Sequence, residues 1–198
     1  MSRPNWFLAL PLPAEAAPAW LAAASAAPPQ LRRFHPDDLH LTLAFLGPCE
    51  AEAALAAWGC LEGLGHPPIA VRAAGWRALG SPEVPSAYGL TLAEGHAELC
   101  GLLRGWGALA LAAAGCPPER RPPLPHLTLL RPPRRQAADL RETMEAWMAA
   151  APLPPAPALL CHLALYTWAE DRRQRLFRIV RSRSLASPPV AESPTWAQ

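Results

Sequence analysis

Two kinds of apolar segment alternate along the chain. Short, dense apolar runs bounded by Gly or Pro predict β-strands, and longer Ala- and Leu-rich segments predict helices. The predicted strands are residues 5–13, 39–47, 69–79, 87–95 and 125–132, with a C-terminal hairpin of residues 158–169 and 175–185. The predicted helices are residues 14–25, 51–64, 96–115 and 134–150. This order indicates an α+β or α/β arrangement of one domain or two small lobes.

Two of the predicted strands carry the same four residues. Residues 40–43 and residues 126–129 both read His-Leu-Thr-Leu, 86 positions apart. The 198 residues include six histidines and six threonines. At that frequency about 0.2 His-x-Thr triplets are expected by chance, so the two copies form an internal repeat. The repeat predicts two similar lobes that each contribute one such strand.

The repeated residues divide between the two faces of a strand. Successive side chains of a strand point to opposite faces. His40 and Thr42 therefore share one face, and Leu41 and Leu43 share the other. The second copy has the same alternation. Each strand can bury its leucines and present an imidazole beside a hydroxyl.

Together, His40, Thr42, His126 and Thr128 form a set suited to displacement at phosphorus. One neutral imidazole can take a proton from water, and a protonated imidazole can give one to the departing oxygen. The hydroxyls can donate hydrogen bonds to the phosphate oxygens, so the chemistry requires no metal or cofactor. A single His-x-Thr on a strand is usually an accident whose histidine is satisfied locally. Two copies with matching leucines favour catalysis.

The paired H-x-T-x motifs resemble those of the two-histidine phosphoesterase superfamily. The closer resemblance is to its RNA 2',3'-cyclic phosphodiesterases, also called the 2'-5' RNA ligase family. It rests on FHPDDLHLTLAFLG and RRPPLPHLTLLRP, with support from the first strand and from LYTWAEDRRQRLFRIVRSRSL. The resemblance implies an α+β, bilobed domain of residues 1–186, with two pseudo-twofold-related antiparallel-sheet lobes and outer helices around a central cleft. Residues 187–198 are expected to form a flexible tail.

The resemblance also implies a reaction. It implies hydrolysis of an RNA-terminal 2',3'-cyclic phosphate to a 2'-phosphate, and a reverse reaction that forms a 2'-5' linkage without ATP. Carried over by position, the catalytic residues are His40 and His126, and Thr42 and Thr128 bind the phosphate. We assign His126 as the general base and His40 as the acid, as a hypothesis that pH–rate profiles of the two His→Ala variants can test.

Two further residues are candidates by the same resemblance. Arg131 follows the second motif, where an arginine helps to hold the phosphate. Strand alternation places it on the face opposite His126, so it reaches the cleft only if the strand ends or bulges; the alternative is a solvated arginine. Phe7 is a candidate nucleobase contact, with a core residue as its alternative. Leu124 stands where a second base-stacking aromatic is expected.

Composition adds little about partners. The net charge is +2, and the basic residues are 18 arginines and no lysine. Arginine suits phosphate, but an arginine bias with abundant Ala, Pro and Gly is the simpler mark of a GC-rich bacterial genome. Further arginines flank the second motif as solvated residues or as guides for an RNA backbone: Arg120, Arg121, Arg134 and Arg135.

The expected compartment is the cytoplasm. Five cysteines without a Cys-x-x-Cys pair predict buried, reduced thiols rather than disulfides or a zinc site. Pro11, Pro13 and Glu15 interrupt the N-terminal apolar stretch, which predicts a strand rather than a leader peptide. No apolar run is long enough to span a membrane. We expect a monomer with no membrane and no metal partner.

Two alternative functions stay open. A binding module for RNA ends would keep the cleft without turnover, although a binder needs no pair of proton carriers. Another two-histidine enzyme would act on small cyclic nucleotides, and the modest net charge neither supports nor excludes it. His162, in a third His-Leu-x-Leu whose threonine position is Ala164, is expected to be a strand residue without chemistry.

Overall fold

A computed structural model describes residues 3–81, 83–133 and 138–185 of the chain. The predicted tail, residues 187–198, and the flanking arginines Arg134 and Arg135 lie outside these ranges.

The described residues form a nine-stranded sheet in which every pairing is antiparallel. The strands run in the order β7-β4-β5-β6-β3-β1-β8-β9, and β2 pairs with β6 beside this path. Their bounds are β1 Asn5–Pro11, β2 Arg32–Arg33, β3 His40–Pro48, β4 Ile69–Gly80, β5 Pro85–Glu94, β6 His126–Arg131, β7 Ala158–Leu160, β8 His162–Trp168 and β9 Phe177–Ser184. The α+β fold with an antiparallel sheet, predicted above, is confirmed.

Five α-helices and one 3₁₀ turn connect the strands within the described ranges. They are α1 Ala17–Ala22, the 3₁₀ turn Pro36–Asp38, α2 Ala51–Gly59, α3 His96–Leu102, α4 Ala108–Ala113 and α5 Ala138–Ala150. A π-helical segment, Leu103–Gly107, joins α3 to α4. The predicted helix of residues 96–115 ends as expected at Gly115, whose φ is +67°. No helix in the described part of the chain is long and apolar enough to cross a membrane.

The first helix is shorter than predicted. The sequence predicts residues 14–25, whereas α1 spans Ala17–Ala22. Pro18 stands in its first turn, where proline is tolerated. After the helix, the guanidinium of Arg33 donates to the carbonyl of Ser25 at 2.7 Å and to two neighbouring carbonyls. These bonds satisfy backbone carbonyls beyond the end of α1 that have no intrahelical partner.

The sheet consists of two equivalent halves. One lobe is β3-β1-β8-β9 and the other is β6-β5-β4-β7, with the two motif strands innermost. Strands β3 and β6 meet where Leu41 pairs with Leu127. Thr42 lies opposite Ala9, and the corresponding Thr128 lies opposite Gly89. The equivalent pairings on the two sides indicate a pseudo-twofold axis between the motif strands.

Both motif strands also bulge at the same place. In the first lobe Leu8 pairs with Ala44 and Ala9 with Thr42, so Leu43 is an extra residue. In the second lobe Tyr88 pairs with Leu130 and Gly89 with Thr128, so Leu129 is the extra residue. Such a bulge shifts the alternation of the side chains that follow it. The repeat therefore extends to the backbone shape beyond His-Leu-Thr-Leu.

The apolar face of the motif strands carries the core. Leu41, Leu43, Leu127 and Leu129 are all buried, and each such side chain contributes about 1.5–3 kcal/mol by its removal from water. Helical segments cover this face: a Cβ on Gly107 of the π-helical segment would lie 2.7 Å from the carbonyl oxygen of Leu43. Because the helices occupy the leucine face, the histidine face stays open.

The predicted C-terminal hairpin is wrong in its first strand. Residues 158–169 are expected to form one strand, but the chain divides at Cys161 into β7 and β8. Strand β7 pairs with β4 of the second lobe, and β8 pairs with β1 of the first. Apolar alternation continues through the division, so the sequence pattern does not reveal it. The hairpin of β8 and β9 forms as predicted.

The cysteines are free but not uniformly buried. Cys100 is buried, Cys60 is exposed, and the other three are half-buried. The prediction of buried thiols is therefore wrong for Cys60, whose side chain follows the end of α2 and donates to the carbonyl of Ala57 at 3.2 Å.

Candidate active site

The two motifs place their polar side chains at the junction of the lobes. His40 and His126 are the first residues of β3 and β6. Because these strands are antiparallel and Leu41 pairs with Leu127, His40 lies on the side of Thr128, and Thr42 lies on the side of His126. All four polar residues are half-buried between buried leucines. The structure thus brings the predicted set together.

Both histidines make the same backbone hydrogen bond. Nδ1 of His40 lies 2.7 Å from the carbonyl oxygen of Asp38, and Nδ1 of His126 lies 2.7 Å from that of Leu124. A carbonyl oxygen can only accept, so Nδ1 must carry the hydrogen. In the neutral ring Nε2 then offers a lone pair. Each histidine is held in the tautomer that can take a proton at Nε2 and return it there.

Asp38 positions His40 through its backbone, not its carboxylate. The side chain is 1% exposed, and its oxygens accept from the amides of Leu176 at 2.7 Å and Phe177 at 3.0 Å. One residue therefore orients His40 by its carbonyl and ties the start of β9 to the site by its carboxylate. Just before β3 the chain forms the 3₁₀ turn, with the His35 side chain accepting from the amide of Asp37.

Aromatic rings enclose His40. Its ring centroid lies 4.7 Å from that of Phe7, 5.2 Å from Tyr166 and 5.6 Å from Phe177. Burial lowers the pKa of His40 to about 4; the Asp38 carbonyl opposes the shift, while the charges of His126 and Arg131 add to it. At neutral pH the free protein therefore holds His40 uncharged.

Phe7 has no free face for a nucleobase. It is 3% exposed, and its ring is stacked on His40 and on Tyr166, with Phe177 at its edge. This environment matches the alternative of a core residue, in which Phe7 supports the position of His40. The nucleobase contact assigned to Phe7 from the sequence is not supported by this packing.

A cavity of about 290 Å³ opens beside the aromatic group. Its lining includes Pro11, which pairs with His40 across β1 and β3, together with Leu39, Tyr166, Phe177 and Arg175. The hydroxyl of Tyr166 is buried and has no hydrogen-bond partner among the described residues. Burial raises the pKa of Tyr166, so this hydroxyl is a neutral donor beside the cavity.

Small and polar residues surround His126 instead. Thr91 pairs with His126 and Gly89 with Thr128, and Arg77 pairs with Gly89 on the next strand. A Cβ on Gly89 would lie 2.4 Å from the carbonyl oxygen of Leu127, so the strands require glycine there. Burial lowers the pKa of His126; its bond to Leu124 opposes the shift, and the charge of Arg77 adds to it.

Arg77 was not identified from the sequence. It shares a sheet face with Thr128 because residues directly opposite each other on paired antiparallel strands point the same way. Its side chain is exposed. The position of Arg77 depends on the register of β4, β5 and β6, and therefore on the bulge at Leu129. Apolar alternation in the sequence does not predict that register.

Arg131 follows the bulge of β6. Leu129 and Leu130 are both buried. From Thr128 to Leu130 the pairing moves two residues along β6 for one residue along β5. The bulge meets the condition under which Arg131 returns to the histidine face. Its positive charge contributes to lowering the pKa of His40, and its guanidinium lies 5.6 Å from the ring centroid of Phe34.

The threonine hydroxyls complete the arrangement. Neither Thr42 nor Thr128 makes a side-chain hydrogen bond to another group in the described ranges. Both hydroxyls are therefore available to an anion between the histidines. In these same ranges no group of three or more His, Cys, Asp or Glu side chains is arranged to hold a metal ion.

Comparison with curated sequences finds a relative that is named for a phosphodiesterase activity. No protein-family model matches the chain. The chain is 30% identical over 174 residues to the RNA 2',3'-cyclic phosphodiesterase of Geobacillus stearothermophilus. The match covers 82% of this chain and 52% of that protein, so the chain spans about half the length of its curated relative.

Solved structures share the fold over nearly the whole chain. E. coli LigT, crystallised with NADP+, matches with a TM-score of 0.70 and 23% identity, covering 94% of this chain and 100% of LigT. The protein TT0787 of Thermus thermophilus matches with a TM-score of 0.66 and 23% identity, covering 92% and 98%. A phosphoesterase structure matches with a TM-score of 0.69 and 23% identity, covering 93% and 99%. The fold, the twin His-x-Thr strands and the curated relative together support the resemblance to the two-histidine phosphoesterase superfamily.

Proposed function

We propose that this protein hydrolyses 2',3'-cyclic phosphate ends of RNA to 2'-phosphates without a metal ion. The observation that carries the proposal is the matched pair of Nδ1–carbonyl bonds, which leaves two Nε2 atoms free on facing strands. The substrate class comes from the name of the Geobacillus relative. E. coli LigT, which shares this fold, was crystallised with 3'-AMP and with phosphate, and this supports a nucleotide phosphate as the ligand.

In the proposed reaction, the cyclic phosphate lies between the two histidines. Thr42, Thr128 and Arg131 donate hydrogen bonds to its non-bridging oxygens and stabilise the charge that develops there. Nε2 of His126 takes a proton from water as the water oxygen bonds to phosphorus. The bond from phosphorus to the 3'-oxygen breaks, and Nε2 of His40 protonates that oxygen. After the reaction His126 carries one more proton and His40 one fewer. Proton exchange with solvent returns both histidines to their starting protonation states.

The two pKa values fit this division of labour. The more strongly lowered pKa, at His40, makes its protonated form the stronger acid, and His126 is correspondingly the stronger base. The cost is that free His40 is mostly uncharged at pH 7. Binding of the phosphate anion raises the pKa of both rings, because a nearby negative charge favours the imidazolium. Binding of the substrate therefore favours protonation of His40, which is the proton donor in this scheme.

The same site supports the reverse reaction. If a 5'-hydroxyl takes the place of water, it gives its proton to His126 and bonds to phosphorus, while the 3'-oxygen leaves with a proton from His40. The product is a 2'-5' linkage. No ATP enters, since the cyclic ester bond that breaks is replaced by one new ester bond.

The cavity beside His40 provides room for the terminal nucleoside. Its lining includes Tyr166 and Phe177, whose rings contact His40, together with apolar side chains and the polar Asp37 and Arg175. An apolar wall with few polar groups is a common setting for a small ligand. In this arrangement Phe177, rather than Phe7, presents an aromatic edge to the nucleoside.

The experiment is hydrolysis of a short RNA ending in a 2',3'-cyclic phosphate, in EDTA, with assignment of the product phosphate. His40→Ala and His126→Ala are compared with wild type, and His162→Ala serves as the matched control because His162 is an exposed strand histidine. We expect a 2'-phosphate product that is lost in the first two variants and retained in the third. Binding without cleavage by wild type would favour the RNA-end binding module instead, and equal turnover of a cyclic mononucleotide would favour a small-nucleotide enzyme.

A further inference from the structure

Three arginines gather at one side of the site. Arg32 of β2 lies directly opposite Arg131 of β6. The guanidinium of Arg32 donates to the backbone carbonyl of Arg172 at 2.7 Å, which holds the β8–β9 turn beside β2. Burial lowers the pKa of Arg131, and the charges of Arg172 and Arg32 add to the shift. Arg32, Arg131 and Arg172 therefore form one group of like charges, the arginine cluster.

The cluster has no neutralising partner within the described ranges. None of its three guanidinium groups forms an ion pair with a described carboxylate. The acidic side chain whose charge reaches Arg131 is Asp38, and both its oxygens already accept from backbone amides. Asp37 lies 3.6 Å from Arg175, and the carboxylate of Asp171, which precedes Arg172, accepts from the amide of Arg173. Three adjacent cations that form no ion pair with a described carboxylate are arranged for an external anion.

The guanidinium of Arg172 is held in position by an aromatic ring. Its guanidinium carbon lies 4.3 Å from the ring centroid of Trp168, a cation–π contact. Stacking fixes the plane of the guanidinium, and its donors around the edge remain available for a phosphate. Arg32 and Arg172 are both exposed. A basic side chain on an aromatic ring beside further arginines is typical of surfaces that bind a nucleic-acid strand.

The cluster extends outward from the catalytic phosphate. Arg131 belongs to both regions, because its charge acts on His40 and it pairs with Arg32. A phosphate bound at the histidines would contact Arg131. Arg32 and Arg172, which lie farther from the histidines, would bind a second phosphate. A cyclic mononucleotide carries no second phosphate, whereas an RNA carries one at each preceding nucleotide.

We propose that Arg32 and Arg172 bind the phosphodiester that precedes the cyclic end, so that the protein acts on oligoribonucleotides in preference to cyclic mononucleotides. This inference rests on the proposed function and adds the residues that recognise the nucleotide chain next to the reacting end. It assigns to the arginine cluster a role in binding the chain and leaves the proton transfers to the histidines.

The test compares two substrates that share one reacting end. The value of kcat/KM is measured for 2',3'-cyclic CMP and for a trinucleotide ending in the same cyclic cytidine phosphate, at low and moderate salt. The variants are Arg172→Ala, Arg172→Lys and Arg32→Ala/Arg172→Ala. Arg104→Ala is the control, since Arg104 is an exposed arginine of the π-helical segment on the outer layer.

We expect the double variant to lose about 10- to 100-fold in kcat/KM for the trinucleotide, the effect of two charge-assisted hydrogen bonds, and to act normally on cyclic CMP. Arg172→Lys should retain part of the activity, and Arg104→Ala all of it. Equal losses on both substrates, or no loss on either, would overturn the proposal.

A binding arm separates this inference from the catalytic one. In a His126→Ala background, affinity for the cyclic-ended trinucleotide is measured by fluorescence anisotropy as a function of salt. The cluster predicts weaker binding in the double variant and a shallower salt dependence, by about 0.7 in the log–log slope for each phosphate that the variant no longer binds. If the wild type does not cleave the RNA but the double variant still binds it more weakly, the proposed reaction is wrong and the role of the arginine cluster stands. Unchanged binding would remove the cluster from substrate recognition.

Discussion

The two lobes use one motif in two different environments. Each contributes a His-x-Thr strand with the same bulge and the same Nδ1–carbonyl bond. His40 is enclosed by the rings of Phe7, Tyr166 and Phe177. His126, in contrast, pairs with Thr91, and Gly89 lies between its motif partner Thr128 and Arg77. The strand is duplicated, but the environment is not.

This difference shows how a symmetric frame can support the asymmetric reaction proposed above. The motif fixes where each imidazole lies and which nitrogen is free. The residues around it set how readily that nitrogen holds a proton, by desolvation at His40 and by a milder combination of burial and charge at His126. An acid and a base can therefore be obtained from two identical motifs.

The largest expected effect tests whether the histidines have different roles. His40→Ala and His126→Ala should each reduce turnover of the cyclic phosphate by about 10²- to 10⁴-fold. With a p-nitrophenyl phosphodiester, whose leaving group needs no proton, His40→Ala should recover most of the activity and His126→Ala should not. Steady-state kinetics on both substrates measures this. Equal recovery of the two variants would contradict the assignment of acid and base.

The pH dependence gives the next largest effect. The pair must hold one proton, and both pKa values lie below 6.5 in the free protein. The value of kcat/KM, which reports the free enzyme, should therefore be highest below pH 6.5 and fall about tenfold per pH unit above the pKa of His126. The optimum of kcat should lie at higher pH, since the bound anion raises both values. A kcat/KM that rises between pH 6.5 and 8 would exclude this ionisation scheme.

Removal of one aromatic wall should make the lobes more alike. Phe7→Leu reduces the desolvation of His40, so the pKa of His40 should rise by about one unit toward its ordinary value, while the free energy of unfolding falls by about 1–3 kcal/mol. NMR titration and urea unfolding measure the two effects. Phe45→Leu is the matched control, because Phe45 pairs with Phe7 but is exposed. It should change neither quantity.

The smallest effect comes from the other lobe. Arg77→Ala removes a positive charge from the neighbourhood of His126, so the pKa of His126 should rise toward its ordinary value, with His40 unchanged. The same NMR titration detects it, and high salt should reduce the difference. A shift of His40 instead would show that the β4–β6 register does not place Arg77 beside His126.

The sequence was sufficient for the parts that depend on local pattern. Alternation predicted the buried leucines and the shared face of His40 and Thr42, and the repeat predicted two lobes. The bulges were beyond it, because Leu43 and Leu129 look like ordinary alternating residues. For the same reason the sequence does not predict the division of the strand at Cys161 or the position of Arg77 on the same sheet face as Thr128. Both depend on which strands pair with each other.

Asp38 illustrates a second limit. The sequence places a carboxylate two residues before His40, which raises the option that the side chain orients the ring. The structure assigns that task to the backbone carbonyl and uses the carboxylate to hold Leu176 and Phe177, which lie 138 and 139 residues away along the chain. Long-range hydrogen bonds of this kind have no signature in a single sequence.

The most direct test of the unequal lobes is one NMR titration of both imidazoles in the same sample of free protein. His40→Ala and His126→Ala assign the two resonances. We predict that His40 titrates at about 4 and that His126 titrates above it but below 6.5. Coincident titration of the two rings, or a lower value for His126, would contradict the claim that their environments make one histidine the acid and the other the base.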